Sequence, residues 1–120
     1  MPAAKRVLIV DDEPQILDLF STALRQYNHQ VDVAENGRSG FRKATTRDYD
    51  LIIFDLHLPE WNGYDAIKGI QLIKPDSRFL VVSGFVMENI AEELLAMPEV
   101  TAVLSKPVDL RELVALVEAV

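Results

Sequence analysis

The chain has 120 residues, 49% hydrophobic and 26% charged, which suits one domain with one core and argues against disorder. Its net charge of -7 lacks the clustered Lys and Arg of a nucleic-acid binder, so direct nucleic-acid binding is not expected. It has no cysteine, which removes disulfides and thiolate metal sites, and no apolar run approaches the roughly 18 residues of a membrane helix.

The first residues, Met1 to Arg6, show no signal-peptide core, and a cytoplasmic protein is expected. Strand one, about 5–10, carries Val7-Leu8-Ile9-Val10 and ends at Asp11-Asp12-Glu13. Pro14 suits the first position of helix one, about 14–27, whose stripe is Ile16, Leu17, Phe20 and Leu24. His29 reads as a solvated residue before strand two. That strand, about 30–34, alternates polar and apolar residues and so belongs at an edge. Helix two, about 37–46, turns Phe41 and Ala44 inward. Strand three, about 50–54, is the apolar run Leu51 to Phe54, closed by Asp55. Trp61 falls in the loop that follows. Helix three, about 63–73, carries Ala66, Ile67, Ile70 and Ile73 and stops before Pro75. Strand four, about 78–83, ends at Ser83 before Gly84. Helix four, about 86–96, is the least regular, with Met87 and Met97 as packing residues. Strand five, about 101–105, leads into Lys106, and the Lys106-Pro107 bond is a candidate cis bond. Helix five starts at about Asp109 with Leu110, Leu113, Val114 and Val117 as its stripe. Leu116 and Val120 widen it toward a partner face or the edge of the core.

Five strand–helix repeats with short turns predict an α/β fold: a parallel sheet with helices on both faces. The carboxyl ends of such strands share one edge, which is where open α/β sheets bind ligands. Asp11, Asp12, Asp55, Ser83 and Lys106 therefore gather there.

Adjacent carboxylates repel unless a cation lies between them, and hard oxygen donors suit Mg²⁺. The alternative is capping of the Pro-initiated helix, where acids are favoured by the helix dipole. Asp55 is a candidate nucleophile forming an aspartyl phosphate. Lys106, the Ser83 hydroxyl and a metal are the groups that would neutralise the charge. The plain alternatives are a loop cap for Asp55, a turn residue for Ser83 and a surface lysine for Lys106. The His57 side chain is expected at the rim, with its backbone carbonyl as the better ligand candidate.

These residues come in order: Val10-Asp11-Asp12-Glu13-Pro14, Ala34-Glu35-Asn36-Gly37, Asp50 to Asp55, Leu58-Pro59 with Asn62-Gly63, Ser83-Gly84 and Lys106-Pro107. Together they resemble the receiver domain of two-component response regulators, over about residues 5–119. The resemblance implies the flavodoxin-like (βα)5 fold with strand order 2-1-3-4-5, one receiver domain over residues 1–120 and no effector domain in the chain. It implies Asp55 as phospho-acceptor, Asp12 and Asp55 as direct Mg²⁺ ligands, Asp11 as a ligand through water and the His57 carbonyl as the last protein ligand. Mn²⁺ is the alternative cofactor. Ser83 is the implied switch hydroxyl and Lys106 the lysine that pairs with phosphoryl oxygen. Implied partners are a histidine kinase or phosphotransfer protein, a downstream effector and a phosphorylation-dependent homodimer, but no membrane. The implied role is a signalling switch rather than an enzyme, although it accelerates its own phosphorylation and dephosphorylation. Hydrolysis is expected to depend on His57 and Phe85. Val103 departs from the family's usual aromatic and Val108 from its usual Phe, so signalling through helix four, strand five and helix five is expected to be atypical. A phosphatase forming an aspartyl phosphate is the enzyme rival, disfavoured because His57 stands where a second acid is wanted. A phosphorylation-independent binding module is the other, disfavoured because every site residue is present.

Overall fold

Aliphatic residues on strands covered from both sides organise the structure. The computed structural model describes residues 3–58, 61–84 and 88–120, with backbone alone at 61, 62 and 88–91. Pro59, Phe85 and Met87, together with the expected start of helix four and the Trp61 side chain, lie outside the described residues. The order is β1 (Arg6–Val10), α1 (Pro14–Gln26), β2 (Gln30–Ala34), α2 (Gly37–Thr46), β3 (Leu51–Asp55), β4 (His57–Leu58), β5 (Trp61–Asn62), α3 (Gly63–Ile73), β6 (Phe79–Ser83), α4 (Glu88–Leu95), β7 (Val100–Ser105) and α5 (Leu110–Ala119). Five parallel strands form one sheet in the order β2-β1-β3-β6-β7. Counting those five strands alone, this is the expected order 2-1-3-4-5, with β2 at an edge.

Alternation along each strand divides the core in two. Leu8, Val10, Ile52, Phe54, Phe79 and Val81 meet Ala44 of α2, Ala66, Ile67 and Ile70 of α3, and Leu94 of α4. Val7, Ile9, Leu51, Ile53, Leu80 and Val82 meet Leu17, Phe20 and Leu24 of α1, and Leu113, Val114 and Val117 of α5. Each Val, Leu, Ile or Phe among them contributes about 1.5–3 kcal/mol when fully buried. Leu110, Leu116 and Val120 pack on the second cluster, so the widened stripe of α5 is the edge of the core.

The helix ends follow local chemistry. Asn36 Oδ1 accepts the Ser39 N–H at 2.8 Å and Asp109 Oδ1 accepts the Arg111 N–H at 2.8 Å, both at N-caps. Pro14 opens α1, and Asn28 leaves it with φ of 68°, a left-handed conformation that Asn tolerates.

Several expectations are corrected. His29 is buried, not solvated. Its Nδ1 accepts the Lys5 N–H at 3.0 Å, and its Nε2 lies 3.6 Å from Glu118 Oε2, because the end of α5 covers the start of β2. Lys5 Nζ also donates to the Val120 carbonyl. Ile73 is exposed, because the buried face of α3 is spent at Ile70, one turn earlier. Trp61 sits in a short ladder, its backbone opposite Leu58, rather than in open loop. Strand β7 begins at Val100 and carries a register shift opposite Phe79 and Leu80. The Lys106-Pro107 bond is cis, as expected.

Two glycines and one tyrosine join elements tightly. A Cβ on Gly40 would lie 2.6 and 2.7 Å from Val10 Cγ1 and Cγ2, so α2 packs directly on the last residue of β1. A Cβ on Gly63 would lie 2.7 Å from the Leu56 carbonyl oxygen, so α3 starts against the turn after Asp55. At the outer edge, Tyr49 donates to Asp32 Oδ2 at 2.6 Å, and Arg47 donates to the same oxygen at 3.1 Å. Tyr49 holds the Asp32 carboxyl below its usual range against the smaller effect of burial. The Tyr49 phenol is pushed up to about 12, first by burial and then by Asp32.

Gly40→Ala should destabilise the fold by about 1–3 kcal/mol through this overpacking, read as a lower urea midpoint; an unchanged midpoint would mean Val10 yields freely. Tyr49→Phe should cost about 1 kcal/mol at pH 7, a modest figure because Asp32 is partly exposed. The lowered Asp32 pKa gives stability that is present above the unfolded carboxylate value of about 3.9 and lost as pH falls through the lower folded value. The gap between Tyr49→Phe and the wild type should therefore narrow in acid. A gap that widens below pH 4 would contradict the assignment.

Candidate functional site

The sheet register places the site residues in steps. Val10 pairs with Phe54, so the next residues, Asp11 and Asp55, end their strands at one level. Asp55 pairs with Val82, so Ser83 lies one residue further out. Ser83 pairs with Ser105, so Lys106 lies one further again. Backbone hydrogen bonds continue through these positions. Asp11 N–H donates to the Ala34 carbonyl at 3.1 Å, Leu56 N–H to Val82 at 3.2 Å and Lys106 N–H to Ser83 at 2.8 Å. The lysine side chain then reaches back across the steps to the acids.

Its Nζ lies 2.9 Å from Asp11 Oδ2, 2.8 Å from Glu13 Oε1 and 3.3 Å from Asp55 Oδ2. Asp11 and Asp55 are buried, whereas Asp12 and Glu13 are exposed. Asp11 and Asp55 continue the alternation that points Val7, Ile9, Leu51 and Ile53 toward α1 and α5. Asp11 Oδ1 accepts the Glu13 N–H at 2.8 Å, and Asp55 Oδ1 accepts the His57 N–H at 3.0 Å. Each buried carboxylate therefore has one oxygen tied to its own following turn and the other facing Lys106.

Electrostatics follow from this packing. Burial raises the Asp11 pKa, the Glu13 N–H and Lys106 oppose that, and the net direction is up. For Lys106, burial acts to lower the pKa. The hydrogen bonds to Glu13 and Asp11 and the charge of Asp55 outweigh it, so the ammonium is held charged. Ligand oxygens of Asp11, Asp12, Glu13 and Asp55 lie within 4.8 Å of one another. An all-carboxylate set of this kind fits a hard divalent cation such as Mg²⁺. It also offers a nucleophilic carboxylate beside a fixed positive charge.

The structure thus brings together Asp11, Asp12, Asp55 and Lys106, as the strand pattern predicts. Ser83 is placed at the same edge and is fully buried. The His57 side chain is exposed at the rim. Val103 is half-buried against the core on the side of α2, α3 and α4, and Val108 packs on the opposite side. Glu13 joins the cluster without having been assigned a role from sequence. Its signal was present as a third consecutive acid before Pro14, but an exposed acid at a helix start is ordinary.

Residues 7–118 match the family described as the response regulator receiver domain. The chain is 35% identical over 118 residues to the DNA-binding transcriptional regulator NtrC of Azospirillum brasilense, covering 97% of this chain and 24% of that protein. It is 28% identical over 114 residues to the response regulator receiver protein CpdR of Brucella abortus, covering 95% of this chain and 94% of that one. A solved CheY-like receiver domain protein from Methanospirillum hungatei superposes with a TM-score of 0.89 at 26% identity, over 98% of this chain and 93% of that one. The chain spans only about a quarter of the NtrC relative and nearly all of the CpdR relative. Among the described residues no helix is long and apolar enough to cross a membrane. With the family matched from the first strand to the last helix, and the acids and lysine at one sheet edge, the chain belongs to the response regulator receiver domains, the phosphoryl-accepting switches of two-component signalling.

Proposed function

We propose that Asp55 is the phospho-acceptor of this receiver and that Lys106, Asp11 and Asp12 serve the transfer. The observation that carries this reading is the Lys106 ammonium lying 3.3 Å from a buried carboxylate that closes the central strand. The donor is a phosphohistidine on a histidine kinase or phosphotransfer protein. The bond from phosphorus to the imidazole nitrogen breaks, a bond from phosphorus to an Asp55 oxygen forms, and the electron pair returns to the imidazole.

The protein's part is positioning and charge. The His57 N–H fixes one oxygen of Asp55 and so orients the carboxylate. Lys106 stands ready for the phosphoryl oxygens, and Ser83 supplies a hydroxyl from the neighbouring strand end. Asp12 and Asp55 would hold Mg²⁺ directly, with the His57 carbonyl, while Asp11 acts through water. When bound, Mg²⁺ (or Mn²⁺) supplies positive charge to the phosphoryl oxygens. The phosphoryl group then biases a two-state element, for which Ser83 and the stretch after it are the candidates. An effector, in this chain's partner or in a longer protein, reads that change. Cytoplasmic residence and a phosphorylation-dependent homodimer belong to the same reading.

Intact mass after incubation with Mg²⁺ and acetyl phosphate tests this directly. The wild type should gain one phosphoryl group in a Mg²⁺-dependent way, and Asp55→Asn should gain none. A gain that persists in Asp55→Asn would move the acceptor elsewhere. Lys106→Met should slow the gain by roughly 10²-fold or more, the usual scale for one lost charge-stabilising donor. An unchanged rate would remove Lys106 from the chemistry.

A further inference from the structure

Lys106 is shared between one acid that faces solvent, Glu13, and two that are buried, Asp11 and Asp55. The Nζ separations to Glu13 and Asp11, 2.8 and 2.9 Å, are those of charge-assisted hydrogen bonds. The 3.3 Å to Asp55 lies beyond the usual range. The Glu13 side chain is 52% exposed, while those of Asp11 and Asp55 are 3% and 6% exposed. Glu13 is thus the one partner that pulls the ammonium toward solvent, against two that pull it inward.

The base of Glu13 is rigid. Its N–H donates to Asp11 Oδ1 at 2.8 Å. Its carbonyl accepts from Ile16 at 3.1 Å and from Leu17 at 3.2 Å. Pro14 follows and fixes the first turn of α1.

We infer that Glu13 is a positioning residue that pulls Lys106 toward the rim of the acid cluster, so that the ammonium screens Asp11 and Asp55 less from an entering divalent cation. This role rests on the phosphoryl-transfer reading above. Without Glu13, the ammonium keeps only Asp11 and Asp55, both buried, and moves deeper between them as an internal counter-ion. An ammonium seated there repels an entering cation across a few ångströms of partly desolvated space. Glu13 also adds its own negative charge to the cluster, so both effects of its loss weaken cation binding.

The two effects separate by experiment. Mg²⁺ affinity is measured calorimetrically, at fixed ionic strength, for the wild type, Glu13→Gln, Glu13→Asp and each change combined with Lys106→Met. Glu13→Gln should weaken Mg²⁺ binding roughly three- to tenfold, the scale of one ion-pair coupling. In the Lys106→Met background the same change should have less than about a twofold effect. Glu13→Asp keeps the charge but loses reach, so it should lose most of what Glu13→Gln loses; this arm stands even if Lys106→Met folds poorly. Equal losses in both lysine backgrounds, or an aspartate that binds like the wild type, would overturn the positioning role while leaving the acceptor reading intact. A wild type that binds no Mg²⁺ would overturn both.

Discussion

One ammonium facing a group of carboxylates is the interaction on which the functional edge of this protein depends. Lys106 bridges three acids from two strand ends and a helix start. Two of them, Asp11 and Asp55, are buried where a lone carboxylate is costly. The lysine offsets part of that cost, and the rise in the Asp11 pKa shows that it does not offset all of it. The rest of the fold serves this edge. Gly40 lets α2 press on Val10, the residue before Asp11, and Gly63 lets α3 press on Leu56, the residue after Asp55. Backbone bonds from Asp11, Leu56 and Lys106 extend the ladder to the site itself. The charged groups are thus carried where the backbone ladder of the sheet ends.

The architecture was legible because two periodicities coexist in one chain. Short β-branched apolar runs such as Val7–Val10 and Leu51–Phe54 suit strands covered on both faces, and stripes such as Leu17, Phe20 and Leu24 suit helices. Once the strands were parallel, the residue closing each run had to lie at the carboxyl edge. Asp11, Asp55, Ser83 and Lys106 were found in that way, and the stepped register explains why a lysine, the longest of these side chains, closes the outermost strand.

What escaped the sequence was set by contacts between distant segments. His29 looked like a solvated residue, yet the last turn of α5 and the start of β1 enclose it. Nothing within a few residues of His29 announces that. Ile73 fits the helical stripe, but the buried face of α3 ends at Ile70. The register shift in β7 and the β4–β5 ladder depend on pairing geometry that composition does not encode. Glu13 was read as part of a motif but given no task, because only the path of Lys106 across three strands reveals its partner.

Carboxylate charge is held at this edge at the expense of stability. Because burial raises the Asp11 pKa, its charged form opposes folding near neutral pH when metal is absent. Urea unfolding at pH 7 of the wild type and Asp11→Asn, in chelator and in Mg²⁺, tests this most directly. Asp11→Asn should be the more stable protein in chelator and should lose that advantage as Mg²⁺ is added. A variant less stable than the wild type in chelator, by an amount indifferent to Mg²⁺, would make Asp11 a structural turn residue and contradict the account.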